Sequence, residues 1–349
     1  MLSSTSANRR AAKLIAIAVM TLAAALSAFV FSHRKGPDTL NYYERGSLHR
    51  MVEGTADLPF ATRALVPDLI RTIEGPLKFD SAPNAPAPKR EDSLGGGGLR
   101  GLRNRDTFEG ALATLIATGC YLGMGLLIAA SCFELGMGAF GSQFAGLIGI
   151  LSVPLWHRFY SWIYDPMTGL LSALLLFALL KRTNALLILG FLFAVWNKET
   201  ALLWIPVIAL VQRNRTGYLL AAGLALVGIA IRLWMKARFA GLGGTQWENH
   251  LESNLSIVHG AKPQRLLVLW VYPVYLALIR PAWATMDSRV KIAATWVGLP
   301  ILIYSFTFGN FDEIRVMYDA LPALTVLIAP TLIAAISGSM TSAEPETAN

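Results

Sequence analysis

The sequence predicts an all-α membrane protein, a polytopic helical bundle of about 10 (8–11) transmembrane helices with a long, partly helical first extracytoplasmic loop. Of its 349 residues, 54% are hydrophobic and only 15% are charged, whereas soluble domains contain about 25% charged residues. The apolar residues form long blocks separated by short charged segments. Cys120 and Cys132 lie in one such block, about 18 Å apart on a helix, which excludes a disulfide between them.

The first element is an apolar stretch from Leu14 to Phe31, preceded by Arg9, Arg10 and Lys13. It is longer than the roughly 7 to 15 residues of a signal-peptide core. Residues 1–32 are therefore predicted to form an N-terminal cytoplasmic tail and an uncleaved first transmembrane helix. Cleavage after this stretch is the alternative, and in both cases residue 33 and those that follow lie outside.

Residues 33–107 are predicted to form the extracytoplasmic loop, because they contain no apolar block long enough to span a membrane. The loop has two parts. The first, up to about Lys78, places apolar and aromatic residues at helix-like spacing, and the second, from Ser81 to Arg105, is rich in proline and alanine and contains Gly95 to Gly98. Such a composition is typical of a flexible linker.

Residues 108–336 are predicted to form the multi-span bundle, and residues 337–349 a disordered cytoplasmic tail. The two blocks between 185 and 211 are short for a hydrocarbon core about 30 Å thick, so we expect them to tilt or to enter only partway. The predicted segments are 108–133, 137–156, 163–180, 185–197, 200–211, 217–235, 265–279, 291–308 and 316–336.

Lysine and arginine in the short loops indicate the orientation, since such residues favour the cytoplasmic side. Alternate threading of the segments from a cytoplasmic N-terminus places most of these cations inside. They are Lys181, Arg182, Arg213, Arg215, Arg280, Arg289 and Lys291.

The same threading gathers the unusual ionisable residues outside, where the first loop meets several helix ends. Charges at bundle depth cost at least about 2.5 to 3.5 kcal/mol and usually face a cavity or a partner, so the set predicts a polar pocket. Arginine and lysine bind phosphate, and a carboxylate deprotonates a hydroxyl group. Interfacial anchoring is the alternative. The acids are Asp38, Glu44, Asp165, Glu199, Asp312 and Glu313, and the cations are Arg63, His157, Arg158, Lys198 and Arg315.

Several function classes lose support from the sequence. It contains no compact basic run of the kind that binds nucleic acid, although its net charge is +8. His157, His250 and His259 are too widely spaced for a zinc site, and no metal ligands are assigned. Mg²⁺ or Mn²⁺ on carboxylates stays open. No phosphate-binding glycine loop or serine nucleophile elbow is present.

Short patterns in the first loop carry a resemblance to a known family. They are Gly36-Pro37-Asp38, Tyr42-Tyr43-Glu44 and the segment from Pro59 to Pro67, with the sequence PFATRALVP. With Tyr164-Asp165 and Glu313-Ile314-Arg315, the chain resembles bacterial integral membrane glycosyltransferases of the GT-C superfamily.

The resemblance implies a multi-pass protein of the bacterial inner membrane that transfers a sugar from a polyprenyl-phosphate carrier to a glycan, lipid or protein acceptor. In such enzymes an acid of the first loop acts as general base. On this sequence the first choice is Asp38 and the second is Glu44. Asp165 would position the acceptor or a metal ion. The sugar and the acceptor stay open.

Each candidate also has a structural interpretation. Arg63 either binds phosphate or pairs with Asp57, and Asp165 either acts in the site or caps a helix. Lys198 and Glu199 interrupt an apolar run, so they either contact the phosphate or acceptor or form a buried ion pair. Arg315 either binds phosphate or extends its guanidinium group to the membrane interface. For Arg232 we expect the second arrangement, extension to the membrane interface.

Two other functions compete with the transferase. One is a secondary transporter, and the other is a non-enzymatic membrane assembly protein for envelope polysaccharide. The transferase requires Asp38, Asp165, Lys198 and Arg315 to surround one cavity, because catalysis needs these groups near one substrate.

Overall fold

The computed structural model describes residues 2–33, 39–41, 43–77, 105–156, 162–244, 250–258, 271–308 and 314–341. Their regular secondary structure is helical, apart from one isolated bridge between Leu58 and Gly244. Five helical stretches among these residues are long and apolar enough to cross a membrane: Ala11–His33, Thr107–Glu134, Tyr164–Lys181, Arg215–Arg238 and Ser288–Thr307. The prediction of an all-α membrane protein is thus confirmed, whereas the count of about ten spans stays a prediction.

The α-helices follow the apolar blocks of the sequence, since a helix satisfies every backbone polar group within one segment in an apolar environment. In chain order they are α1 Leu2–His33, α2 Leu48–Glu53, α3 Leu65–Glu74, α4 Arg105–Glu134, α5 Ala139–Trp156, α6 Tyr164–Lys181, α7 Asn184–Asn197, α8 Trp204–Gln212, α9 Arg215–Arg238, α10 Leu251–Val258, α11 Val271–Trp283, α12 Ser288–Thr307 and α13 Leu321–Thr341. Short 3₁₀ turns precede α8 at Glu199–Leu203 and α13 at Ile314–Asp319.

These helix bounds lie close to the predicted segments, with differences at the two ends of the chain. The first helix begins at Leu2, well before the predicted start of the apolar stretch. The last helix continues to Thr341, beyond the predicted end of the bundle at 336. The predicted linker from Ser81 to Arg105 lies outside the described residues except for Arg105, the first residue of α4.

Helix α4 lies at the centre of the packing and contacts α1, α5 and α6. It approaches α5 tightly where Gly125 faces Gly146. A Cβ atom on Gly146 would collide with the carbonyl oxygen of Gly125. Small residues allow this approach, as they commonly do between membrane helices.

One end of the bundle, which we call the loop end, is where the first loop is attached. The Thr114 hydroxyl donates to the Ser32 hydroxyl at 2.7 Å, which joins the start of α4 to the end of α1. His49 of the loop lies 3.2 Å from the buried carboxylate of Glu109. The Leu58 N–H donates to the Gly243 carbonyl at 2.8 Å, just beyond α9.

The opposite end, which we call the far end, carries a different set of contacts. Lys181, at the end of α6, pairs with Glu134, at the end of α4, at 2.6 Å. The Arg289 guanidinium donates to the Leu180 carbonyl at 2.9 Å. Because α6 rises about 1.5 Å per residue, Leu180 lies about 24 Å from Tyr164, which begins the same helix at the loop end.

The first loop has its own small core. Val52, Val66 and Ile70 are buried between α2 and α3, and the Arg71 guanidinium donates to the Val52 carbonyl at 2.6 Å. Gly54 ends α2 in the left-handed region, with φ of 76°, which favours glycine. The loop therefore reaches the bundle as a folded unit with fixed side chains.

Candidate functional site

The helix pair α7 and α8 is interrupted at the loop end. Helix α7 ends where Lys198 adopts an extended conformation, and the 3₁₀ turn Glu199–Leu203 then leads into α8. The Asn197 amide holds this interruption against α6 by donating to the Tyr164 carbonyl at 3.0 Å and to the Thr168 hydroxyl at 2.9 Å. The interruption therefore holds two consecutive charged residues, Lys198 and Glu199, in fixed places.

Glu199 lies between two arginines from distant parts of the chain. Arg63 of the first loop donates to both carboxylate oxygens, with distances of 2.7 and 3.4 Å. Arg232 of α9 donates to Glu199 Oε2 at 3.3 Å. We call this set the Arg63–Glu199–Arg232 cluster. It contains two positive groups directed at one carboxylate.

Tyr164 fixes the orientation of Arg63. The Arg63 guanidinium donates a short hydrogen bond to the Tyr164 hydroxyl and lies 4.7 Å from the centre of the Tyr164 ring. Burial by itself lowers the pKa of Arg63, but the attraction of Glu199 and Tyr164 outweighs it and raises that pKa. Arg63 thus stays charged in a site where 13% of its side chain is exposed.

The structure corrects the expectation for Arg232, because only 11% of its side chain is exposed and its guanidinium is paired within the protein. Its guanidinium donates to the Thr62 carbonyl at 2.9 Å and to the Thr62 hydroxyl at 3.1 Å. It also pairs with Glu199. Arg232 turns inward because these groups offer it charge-assisted hydrogen bonds.

The pairing of Arg63 with Asp57, one of the two interpretations of that residue, is replaced by the pairing with Glu199. Asp57 instead accepts hydrogen bonds from Arg45 at 3.0 Å and Arg50 at 3.3 Å within the loop. Asp57 therefore stabilises the loop, whereas Arg63 joins the loop to the bundle.

Lys198 belongs to a second cluster, which lies deeper. Its ammonium group is 3.3 Å from Asp319 Oδ2, and the Thr200 hydroxyl donates to both oxygens of Asp319 at 2.9 and 3.0 Å. Lys198 is 6% exposed and Asp319 2% exposed. Buried charges are stable only when they are paired in this way, so this contact fixes the interruption to the 3₁₀ turn before α13.

Asp165 is fully buried in the first turn of α6. The N-cap residue of α6 is Ile163, and no side-chain hydrogen bond caps the start of this helix. The capping interpretation of Asp165 is therefore not supported. A carboxylate in the first turn is nonetheless favoured by the helix dipole.

Aromatic rings connect the first loop to the start of α6. The centroid of the Trp162 ring lies 5.4 Å from that of Tyr43, 4.5 Å from that of Phe60 and 6.5 Å from that of Tyr164. Glu44, the residue after Tyr43, begins a 3₁₀ turn and is exposed. The rings thus place Glu44 on the same end of the bundle as Arg63.

Several predicted site residues lie outside the described residues: Asp38, His157, Arg158, Asp312 and Glu313. The backbone of Arg315 belongs to the 3₁₀ turn Ile314–Asp319, the same turn that carries Asp319 of the second cluster. The side chain of Arg315 lies outside the described part of the structure.

The structure adds four residues that the sequence analysis did not propose for the site, namely Tyr164, Thr200, Arg232 and Asp319. Asp319 carried one usable signal, because it is an acid directly before the long apolar run of α13. An acid at that position suggests a buried partner. Tyr164 was noted only beside Asp165, because tyrosine is common at membrane boundaries, and Thr200 carried no signal.

Among the described residues, no three His, Cys, Asp or Glu side chains are grouped so that they could hold a metal ion. The described carboxylates of the two clusters are already engaged by Arg63, Arg232 and Lys198. These residues do not fit a resident Mg²⁺ or Mn²⁺.

Comparisons with protein-family models, with curated proteins and with solved structures gave no match.

Proposed function

We propose that this protein is a membrane glycosyltransferase that moves a sugar from a polyprenyl-phosphate carrier to an extracytoplasmic glycan, lipid or protein. One observation carries the proposal: Arg63 and Arg232 converge on the single carboxylate of Glu199 at the loop end of a helical membrane bundle. This is the charge arrangement that a phosphate monoanion or dianion requires.

The phosphate of the carrier would take the place of Glu199 on the two arginines. Glu199 is the more exposed partner, with 24% of its side chain accessible against 13% for Arg63 and 11% for Arg232. An incoming anion would therefore meet the carboxylate first and displace it. The two guanidinium groups would then stabilise the negative charge that develops on the leaving phosphate.

Glu44 is the described residue best suited to act as the general base. Glu199 and Asp319 are held by cations, and Asp165 is fully buried. Glu44 is exposed next to the aromatic contact between Tyr43 and Trp162, so an acceptor can approach it. Asp38, six residues earlier in the chain, stays the other candidate.

In the proposed reaction the carboxylate of the base takes the proton of an acceptor hydroxyl. The acceptor oxygen forms a bond to the anomeric carbon of the sugar, while the bond from that carbon to the phosphate oxygen breaks. Polyprenyl phosphate leaves with the electron pair of that bond, bound to Arg63 and Arg232. Atoms and charge balance without a further reactant.

The distribution of charge favours an extracytoplasmic loop end. The described far end carries Lys181, Arg182, Arg213, Arg215 and Arg289, opposed there by Glu134 and Asp287. Cations at short loops favour the cytoplasmic side. We therefore propose a bacterial inner-membrane protein with a cytoplasmic N-terminus and a site that faces outward.

The test is transfer of a radiolabelled sugar from polyprenyl phosphate in membranes that contain equal amounts of each variant. We expect Glu44→Gln or Asp38→Asn to abolish transfer. Arg63→Gln and Arg232→Gln should each reduce it by about 10² to 10³, the usual effect of losing one charge-stabilising donor. Arg289→Gln is the matched control, because it removes an arginine from an ion pair at the far end, and it should keep full transfer.

Wild-type membranes that transfer no sugar from any polyprenyl-linked donor would overturn the proposal. Arg63→Gln and Arg232→Gln membranes with the same activity as Arg289→Gln would overturn the phosphate role of the cluster. Measuring transfer with and without a chelator of divalent cations separates this reaction from a metal-dependent one.

A secondary transporter is the second candidate, and the Lys198–Asp319 contact favours it. Two interruptions of helical structure meet there, and transporters commonly bind substrate where discontinuous helices meet. Uptake of labelled solutes by proteoliposomes, driven by a proton or sodium gradient, would support it. Loss of uptake in Asp319→Asn together with unchanged sugar transfer would select the transporter.

A further inference from the structure

A groove lies between α1 and α5 in the half of the bundle nearer the far end. Its volume is about 160 Å³, and it opens to the outside of the bundle. Two stacked rings, with centroids 6.2 Å apart, form part of its wall. We call it the α1–α5 groove. Apart from the amide of Gln143, its lining is apolar: Ala16, Val19 and Met20 of α1, and Phe140, Phe144 and Leu147 of α5.

Helices α1 and α5 run in the same direction, which fixes the order of the groups along the groove. Towards the loop end, the Ser27 hydroxyl donates to the Ile150 carbonyl at 3.3 Å. Earlier in both helices Met20 lies beside Gly146, where an added Cβ atom would be 3.1 Å from Met20 Cε. Each step back along either helix therefore leads towards the far end.

A positive charge lies at the far-end mouth of the groove. Lys13 precedes Met20 by seven residues, or two turns, so it lies on the same side of α1 and about 10 Å nearer the far end. Lys13 is exposed and makes no ion pair with the described part of the chain. Glu134, at the adjacent end of α4, is already paired with Lys181. The positive end of the α5 dipole lies at this same end.

The amide of Gln143 lies between this charge and the apolar wall. Gln143 precedes Gly146 by three residues, so it is about 4.5 Å nearer the far end than Gly146 and Met20. Its side chain is half-buried and has no hydrogen-bond partner among the described residues. A polar group in apolar surroundings costs free energy unless it is hydrogen-bonded. The groove thus offers a cation, an amide and an apolar wall, in that order.

A phospholipid carries its phosphate, its ester oxygens and its acyl chain in the same order. The groove also opens where lipid is present, because α1 is long and apolar enough to cross a membrane and the lining residues Val19 and Phe140 are 45% and 72% exposed. Lysine near the membrane surface attracts anionic lipids. A soluble anion would use Lys13 but would leave the apolar wall exposed.

We propose that the α1–α5 groove binds one anionic phospholipid of the phosphatidylglycerol type. One acyl chain lies against Phe144 and Leu147, an ester oxygen accepts a hydrogen bond from the Gln143 amide, and the phosphate lies beside Lys13. The site is at the end of the bundle opposite the two clusters, so the inference does not depend on the proposed transferase activity.

The test is photo-crosslinking of the full chain in phosphatidylcholine vesicles that contain a trace of phosphatidylglycerol with a diazirine in one acyl chain. Phosphatidylcholine with the same chain is the comparison, and mass spectrometry locates the adducts. Phosphatidylglycerol should label residues 140–147 about fivefold more, the effect of about one lysine at the surface. Lys13→Gln should bring this ratio close to one. Lys236→Gln, which removes an exposed lysine near the end of α9, should keep it. Equal labelling of the wild type by both lipids, or an unchanged ratio in Lys13→Gln, would overturn the proposal.

A second pair of variants tests whether the lipid occupies the groove itself. Ala16→Phe places a ring in the groove, whereas Ile15→Phe places one on an exposed part of α1 outside it. Only Ala16→Phe should remove most adducts from residues 140–147. Native mass spectrometry identifies the other occupant, a second copy of the chain. A wild-type dimer that becomes a monomer in Ala16→Phe, with few lipid adducts in the groove, would overturn the proposal.

Discussion

The ammonium group of Lys198 lies 3.3 Å from Asp319 and joins the two interruptions of the described bundle, the one between α7 and α8 and the one before α13. Both residues are almost completely buried. The contact therefore determines where the backbone of each interruption lies. Because Glu199 directly follows Lys198, the same contact holds Glu199 near Arg63. The two clusters are connected through adjacent residues of one turn.

The losses of stability from removing the two partners of this pair should not be additive. Lys198→Met or Asp319→Asn leaves a buried charge without its counterion, which typically costs about 3 to 5 kcal/mol. The double variant removes both charges, so its loss of stability should be smaller than the sum of the two single losses. Thermal unfolding of the purified protein in one detergent measures all three variants.

Additive losses in the double variant would contradict the buried pair. Lys236→Met is the matched control, since Lys236 is an exposed lysine near the end of α9, and its unfolding temperature should stay within about one degree of the wild-type value.

The sequence was sufficient for most of the helices, because apolar blocks near the length of a membrane span have few alternatives to a helix. It also marked Arg63, Lys198 and Glu199 as unusual charges. It could not pair them, since Arg63 and Glu199 are 136 positions apart, and spacing along a helix shows only which residues share a side of that helix. The inward turn of Arg232 was missed for the same reason, because its partner Thr62 lies in the first loop.

Arg232 should hold the first loop against the bundle. Arg232→Gln removes charge-assisted hydrogen bonds to Thr62 and Glu199, so the loop should detach more often. We expect trypsin to cleave within residues 39–77 about tenfold faster in the variant, because local opening governs cleavage there. Limited proteolysis of membranes followed by mass spectrometry of the peptides measures this rate.

Lys236→Gln controls for the loss of a cation from the same helix and should leave the cleavage rate unchanged. If Arg232→Gln were also cleaved at the wild-type rate, Arg232 would not be needed to attach the loop.

Asp287 should stabilise the protein only while it is ionised. Arg289 donates to it from its side chain, at 2.8 and 3.0 Å, and from its backbone N–H at 2.8 Å. These hydrogen bonds lower the pKa of Asp287. Because the pKa is lower in the folded state, the stabilisation is complete above the ordinary aspartate value of about 3.9 and is lost as the pH falls through the folded pKa.

Asp287→Asn keeps a residue that can cap α12 but removes this dependence on pH. The wild type should be more stable than the variant at pH 7, by less than about 1 kcal/mol because the carboxylate is partly exposed. The difference should shrink as the pH approaches 2. Unfolding temperatures at both pH values test this, and a difference that stays constant would contradict the role of Asp287 as an ionised partner of Arg289.

The close crossing of α4 and α5 should depend on Gly146. In Gly146→Ala the new methyl group would collide with the Gly125 carbonyl and come within 3.1 Å of Ala129, so the helices must move apart. Overpacking of this kind typically costs about 1 to 3 kcal/mol. Gly119→Ala in α4 is the matched control, because a Cβ there meets nothing within 4 Å, and alanine is the better helix former. We therefore expect the unfolding temperature to fall by several degrees in Gly146→Ala and to stay the same or rise in Gly119→Ala; equal unfolding temperatures in the two variants would show that α4 and α5 do not cross at this glycine.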